Sequence, residues 1–269
     1  MTTGRTVQKY ARVYVDGYDV SGHTRSMGPL DDTFDEGIDD PLSAAIKGVW
    51  LGQRSISPGT LNALYDNTAT TGMKALFEAK SDTEREVLWA QGIQAAPAAG
   101  DPCFMSQCRQ SSFLLTPESN PTALTVKFSQ ASGTSTALYG GSPWGILLNA
   151  NTARTAVNSS TGIDQVVVSA TKGGWMMYHV TASAGSGNIS CTFKVQDSDT
   201  NVDGDFDDLL SSGVISTGAA GVAVPCSGAV ALAPTATTRQ FVRWQIVLGT
   251  DANACTSVTF VLGFSRNLV

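Results

Sequence analysis

Residues 12–22 read R-V-Y-V-D-G-Y-D-V-S-G. Val13 and Val15 alternate with Arg12, Tyr14 and Asp16, the period of a half-buried strand. Asp16-Gly17 is a tight-turn dipeptide, because glycine accepts the positive φ that a two-residue hairpin turn requires. Tyr18 to Gly22 then begin the return strand, so the chain is expected to open on a β-hairpin. Residues 23–55 follow as a long polar stretch without sustained periodicity, expected to be a loop. It carries six acids within ten residues: Asp31, Asp32, Asp35, Glu36, Asp39 and Asp40.

Beyond it, T-T-G-M-K-A-L-F-E-A-K at 70–80 sets Met73, Leu76 and Phe77 on one face of a short helix. Asp66, Asn67 or Thr68 would cap that helix. Strands are expected at 86–94, 104–115 and 122–129, the last alternating Leu124, Val126 and Phe128. Hairpin, long loop, strand, one helix and three strands make an order, over roughly residues 8–130, that resembles the major tail tube proteins of long-tailed bacteriophages. That resemblance implies rings of six subunits, each giving strands to an inner β-barrel. The rings stack through the long loop into a hollow tube that conducts DNA during ejection. It also implies that residues 1–130 are a tail-tube-like β domain. The partners would be further copies of the chain and other tail proteins, and the place of residence a virion built in a bacterial cytoplasm.

Composition is compatible with such a protein. Of 269 residues, 42% are hydrophobic and only 15% charged, which excludes a disordered chain. The net charge of −6 argues against a protein that grips nucleic acid through clustered cations. An acidic lumen would instead repel phosphates and let DNA pass. Within the acidic run, Leu30, Phe34, Ile38 and Leu42, with Trp50 and Leu51 after it, are candidate anchors to a neighbouring subunit. The bland reading of the run is a solvated loop. The N-terminus M-T-T-G-R-T-V-Q-K-Y lacks the apolar core of a signal peptide, and no stretch approaches a membrane helix.

Composition shifts near residue 131. A-S-G-T-S-T-A-L-Y-G-G-S at 131–142 reads as a linker, and 143–269 as a second, C-terminal β-sandwich. Its expected strands lie at 144–148, 165–169, 175–181, 189–196, 222–224, 241–248 and 257–264, the last two forming a closing hairpin. This second domain would be an outward decoration or, alternatively, another copy of the tube fold. The fold class is thus mainly β with one short helix.

Catalytic, cofactor and metal residues are all expected to be none. His23 and His179 are the two histidines, and neither sits in a recognisable motif. Around Ser142 the G-x-S-x-G pattern fails at Trp144. Five cysteines, Cys103, Cys108, Cys191, Cys226 and Cys255, form neither a disulfide framework nor a zinc spacing. Buried thiols are the simpler reading and a bond between subunits the sharper one. The segment D-S-D-T-N-V-D-G-D-F-D-D at 197–208 deserves weighing. Asp199, Asn201, Asp203 and Gly204 match the first half of a calcium loop, but Leu210 stands where a bidentate Glu is needed. Asp207 or Asp208 could substitute. The competing reading is an acidic turn before a short helical piece at 206–210. Two other classes share this sequence character: a capsid decoration or head–tail joining protein, and a glycan-binding sandwich using aromatics such as Trp144 and Trp175.

Overall fold

Asp16 and Gly17 both take positive φ, 50° and 88°, and Val15 stands opposite Tyr18, so the opening hairpin has the two-residue turn its D-G dipeptide requires. The computed structural model describes residues 8–39, 48–68, 72–78, 84–93, 95–118, 121–130, 142–155, 158–166, 169–185, 189–217, 224–249 and 255–267. The chain is mainly β, with one short helix among the described residues. Strands β1 (Ala11–Val15), β2 (Tyr18–Asp19), β3 (Thr24–Gly28), β4 (Asp31–Asp39), β5 (Gly48–Ser57) and β6 (Thr60–Leu64) precede helix α1 (Met73–Phe77). After it come β7 (Glu84–Gln91), β8 (Pro102–Thr116), β9 (Ala123–Gln130), β10 (Trp144–Arg154), β11 (Asn158–Ser159) and β12 (Ile163–Asp164). The last seven are β13 (Gly174–Gly185), β14 (Ile189–Ser198), β15 (Asp207–Ser211), β16 (Ile215–Thr217), β17 (Cys226–Ala231), β18 (Phe241–Leu248) and β19 (Cys255–Arg266). No described helix is long and apolar enough to cross a membrane.

Contacts divide the chain into two compact units. The first joins Met1–His23, Arg85–Gln107 and Gly133–Val269, and the second Thr24–Glu84 and Cys108–Ser132. The expected division into 1–130 and 143–269 does not coincide with this one. The opening hairpin, β7 and the start of β8 hydrogen-bond into the sheet of the C-terminal strands, which no local pattern reveals. The expected linker at 131–142 lies outside the described residues, apart from Ser142.

The first unit is a sandwich of two sheets. One runs β17-β13-β19-β10-β8-β7-β1-β2, and the other β11-β18-β14-β15, with β12 on β18 and β16 on β14. Between them lies a core of Leu148, Val180, Phe193, Val195, Trp244, Ile246, Phe260 and Phe264 with their neighbours. Phe193 and Phe260 pack 4.7 Å apart, and Trp244 meets Phe260 edge-on at 5.5 Å. Each such ring contributes about 1.5–3 kcal/mol by burial alone. β13 is apolar on both faces. Met176 and Val180 enter this core, while Trp175 and Met177 enter a second one with Tyr14, Leu88, Cys103, Met105, Leu147 and Val261. The second core fills the concave side of the first sheet, which curls until its two ends meet.

β18 and β19 do not form the expected closing hairpin. β18 pairs with β14 in one sheet and β19 with β13 in the other, so the two strands lie in opposite sheets. β13 and β14 are divided between the two sheets likewise. β10 runs six residues past the expected end at Leu148. It carries irregularities around Asn149, whose buried side chain donates to the Phe260 carbonyl at 2.7 Å and accepts from Arg154 at 2.9 Å. Residues 165–169 are not a described strand, and 222–223 lie outside the described residues.

The second unit has one apolar face. Its strands run β3-β6-β9 and on to the later part of β8. Leu61, Ala63, Leu124, Val126 and Phe128 are buried, as are Met73, Leu76 and Phe77 of α1, with Phe77 and Phe128 edge-to-face at 6.3 Å. The opposite face is polar: Asn62 donates to Ser26 at 3.0 Å and accepts from Thr125 at 3.2 Å. The expected side-chain cap of α1 is absent. Carbonyls of Thr68 and Asp66 accept from Gly72 and Lys74 instead.

Candidate functional site

The long polar stretch is not a loop. β3 occupies its start, and β4 and β5 form a two-stranded sheet of their own, paired from Asp31 opposite Ser57 to Asp39 opposite Gly48 with a shift of register between Phe34 and Glu36. This arm carries the acidic run. Arg54 takes both Asp32 oxygens, at 2.6 and 2.8 Å, and lies 5.6 Å from the centre of the Phe34 ring. At its base Ile56 is buried, and Ser57 donates to the Phe128 carbonyl at 3.0 Å. Further out, Phe34 is 45% exposed and Asp35 and Glu36 are exposed. Asp40 and Leu42 lie outside the described residues, as do the side chains of Ile38, Trp50 and Leu51. A two-stranded ribbon is marginal alone in water and leaves both edges unpaired.

A second concentration of chemistry lies in the first unit, where the curled sheet closes on itself. The Gly17 amide donates to His179 Nδ1 at 3.0 Å. Asp16 pairs with Arg85 at 2.5 Å and accepts the Glu86 amide at 3.1 Å, while its own amide donates to the Glu86 carbonyl. Ser227 of β17 donates to the Glu86 carboxylate of β7 at 2.9 Å, and Gln107 donates to it at 3.4 Å. The hairpin turn is thereby tied to β7, β13 and β17 together. Burial pushes the Glu86 carboxyl up, against hydrogen bonds from Ser227 and Gln107 that pull it down. His179 is fully buried, and burial holds its pKa at about 3. The sequence offered no sign of this seam, since its groups lie up to 162 positions apart.

Other candidates disperse. His23 sits in the turn after β2, its amide donating to the Val20 carbonyl at 3.1 Å. All five cysteines are buried within the chain, as the simpler reading expected. Trp175 is buried, its indole donating to the Ser142 carbonyl at 2.9 Å, so it offers no stacking face. Trp144 is 42% exposed and packs edge-on against Phe104 and Trp89.

The half calcium loop is spent on neighbours. Asp203 pairs with Arg243, whose guanidinium lies 4.1 Å from the Phe206 ring centre and donates to Gln196 at 2.9 Å. Asp199 accepts from Ser169, and Asn201 donates to the Gly162 carbonyl at 3.4 Å. Asp207 pairs with Arg239 at 2.7 Å, and Asp208 with Lys194. The expected helical piece is instead a 3-10 turn at Asp203–Asp205 followed by β15, because Leu210 is drawn into the sandwich core.

No protein-family model matches the chain, and no curated protein does. Among solved structures, the Dit (gp 19.1) protein of phage SPP1, described as a paradigm of the hub adsorption apparatus of phages infecting Gram-positive bacteria, overlaps with a TM-score of 0.32 at 11% identity. That overlap covers 96% of this chain and 99% of Dit. The infectious bursal disease virus Gx strain structure overlaps with a TM-score of 0.25 at 11% identity, over 99% of this chain and 70% of that one. The VP2 subviral particle of the same virus gives 0.25 at 10% identity, over 98% and 69%. Scores this low do not amount to a shared fold.

Proposed function

We propose that this chain is a structural virion protein, a tail tube subunit that polymerises into stacked rings of six around a DNA channel. The observation that carries the reading is the β4–β5 arm, a two-stranded sheet whose edges are open among the described residues, with Phe34 exposed. Such a ribbon gains most of its stability from a neighbour. The neighbour proposed is another copy of the chain in the adjacent ring. Order along the chain supports it too: hairpin, arm, strand, helix and three strands match the tube family's sequence of parts. Acids along the arm suit a surface that DNA passes without sticking. The reading assigns no catalysis, cofactor or metal, and places the protein in the particle rather than in a membrane.

The test is an arm deletion. Asp32 and Ile56 are paired residues, so replacing 33–55 with Asn-Gly closes a two-residue turn between them. The variant is expected to fold, by its circular dichroism and melting curve, and to form no tubes under the electron microscope. Tubes of normal length from the folded variant would refute the stacking role. Wild-type protein that decorates capsids, or stays monomeric and binds glycans, would replace the reading with one of the two other classes.

A further inference from the structure

We propose that the Asp16-Gly17 turn is an acid-released latch, held by His179, that keeps the curled sheet of the first unit closed. The geometry is specific. His179 Nδ1 accepts the Gly17 amide, so the neutral ring carries its proton on Nε2, and that buried nitrogen has no partner among the described residues. A second proton can enter only at Nδ1, the atom that holds Gly17. Taking it converts an acceptor into a donor facing another donor and puts a cation into an apolar interior.

The surroundings give that cation no unshared counter-charge. On β1, Tyr14 packs its ring 6.0 Å from the imidazole. Asp16 in the turn is already bound to Arg85 of β7, whose guanidinium is fully buried. Glu86 of β7 is engaged by Ser227 and Gln107. Asp19 on β2 accepts the Ser21 amide. Cys226 on β17 is a buried neutral thiol, and Val261 stands beside His179 on β19. Nor can the turn shift inward to compensate, because a Cβ on Gly17 would already lie 2.4 Å from the Cys226 amide nitrogen.

The sign of the pH effect follows. The closed state favours neutral His179, with a pKa of about 3, while an open state titrates near the ordinary value of 6.5. Stability of the closed seam is therefore full above 6.5 and lost as pH falls from 6.5 toward 3, by up to about ten-fold in the opening equilibrium per pH unit. Glu86 acts oppositely. Its raised pKa favours the protonated form in the fold, so its share is lost as pH rises. Release in acid cannot come from Glu86.

Amide hydrogen exchange at Gly17, corrected for the intrinsic pH dependence, reads the opening. Protection is expected to fall between pH 6.5 and 3.5 in the wild type. His179→Gln keeps an acceptor that takes no proton in this range, and its protection should stay flat. An equal fall in both proteins, or no fall in the wild type, overturns the proposal. Should the Gln variant lose protection already at pH 7, the wild-type imidazole resonances decide. A His179 ring that stays neutral down to the pH at which Gly17 is released supports the latch. One that protonates near 6.5 with Gly17 still protected refutes it.

Discussion

The two units bury their sheets differently. In the first, strands such as β13 and β19 are apolar on both faces, because one face meets a second sheet and the other the concave interior. In the second, Leu61, Leu124, Val126 and Phe128 are buried, as is one face of α1, while Ser26, Asn62 and Thr125 form a polar ladder on the other side. Its arm pairs only β4 with β5 among the described strands, and residues 33–36 there are exposed. Two-sided burial supplies stability from within the chain. One-sided burial with a two-stranded ribbon is the arrangement on which the proposed assembly rests.

The largest expected effect tests that contrast. Phe260→Ala removes the ring between Phe193 and Trp244 and should cost about 3–5 kcal/mol. Phe77→Ala should cost a similar amount in the second unit. By hydrogen exchange, the first variant should deprotect β13, β14, β18 and β19, and the second β3, β6 and β9. Simultaneous loss of all strands in both variants would show one cooperative body and remove the distinction.

Next comes the seam. Gly17→Ala introduces both a strained φ of +88° and a clash with the Cys226 backbone, so a loss of about 2 kcal/mol or more is expected in thermal melting. A neutral result would mean the turn is not tightly held. In the second unit, Gln110 donates to the Phe77 carbonyl at 2.7 Å and closes the end of α1. Gln110→Ala leaves that buried carbonyl without this donor and should cost about 1–3 kcal/mol, read by urea denaturation. The smallest effect is expected on the arm. Arg54→Ala breaks a partly exposed pair with Asp32, worth about 0.5 kcal/mol by melting of the isolated subunit. The same variant should impair assembly far more than stability; an equal effect on both would weaken the case for the arm as a contact surface.

How far the sequence could be read depended on how local the cause was. The D-G turn, the period-2 run of Leu124, Val126 and Phe128, and the i, i+3, i+4 face of α1 are local, and each was legible. The arm was not. A ribbon whose residues 33–36 are exposed needs no apolar alternation there, and a run of acids, which strands usually avoid, reads as loop. Likewise Leu210 decided between helix and strand only once a sandwich core existed to receive it.

By itself, then, the chain determined its β character, its turns and the helix α1, because these rest on φ preferences and on side chains a few residues apart. Tertiary structure alone decided which strands share a sheet. The glycine-bearing stretches after β13 and β18 read as hairpin connections in sequence, but the apolar residues on both sides of β13 and β19 are satisfied only with β14 and β18 in the opposite sheet. It alone also brought Gly17 to His179, since a hydrogen bond across 162 positions has no trace in the residues near either end.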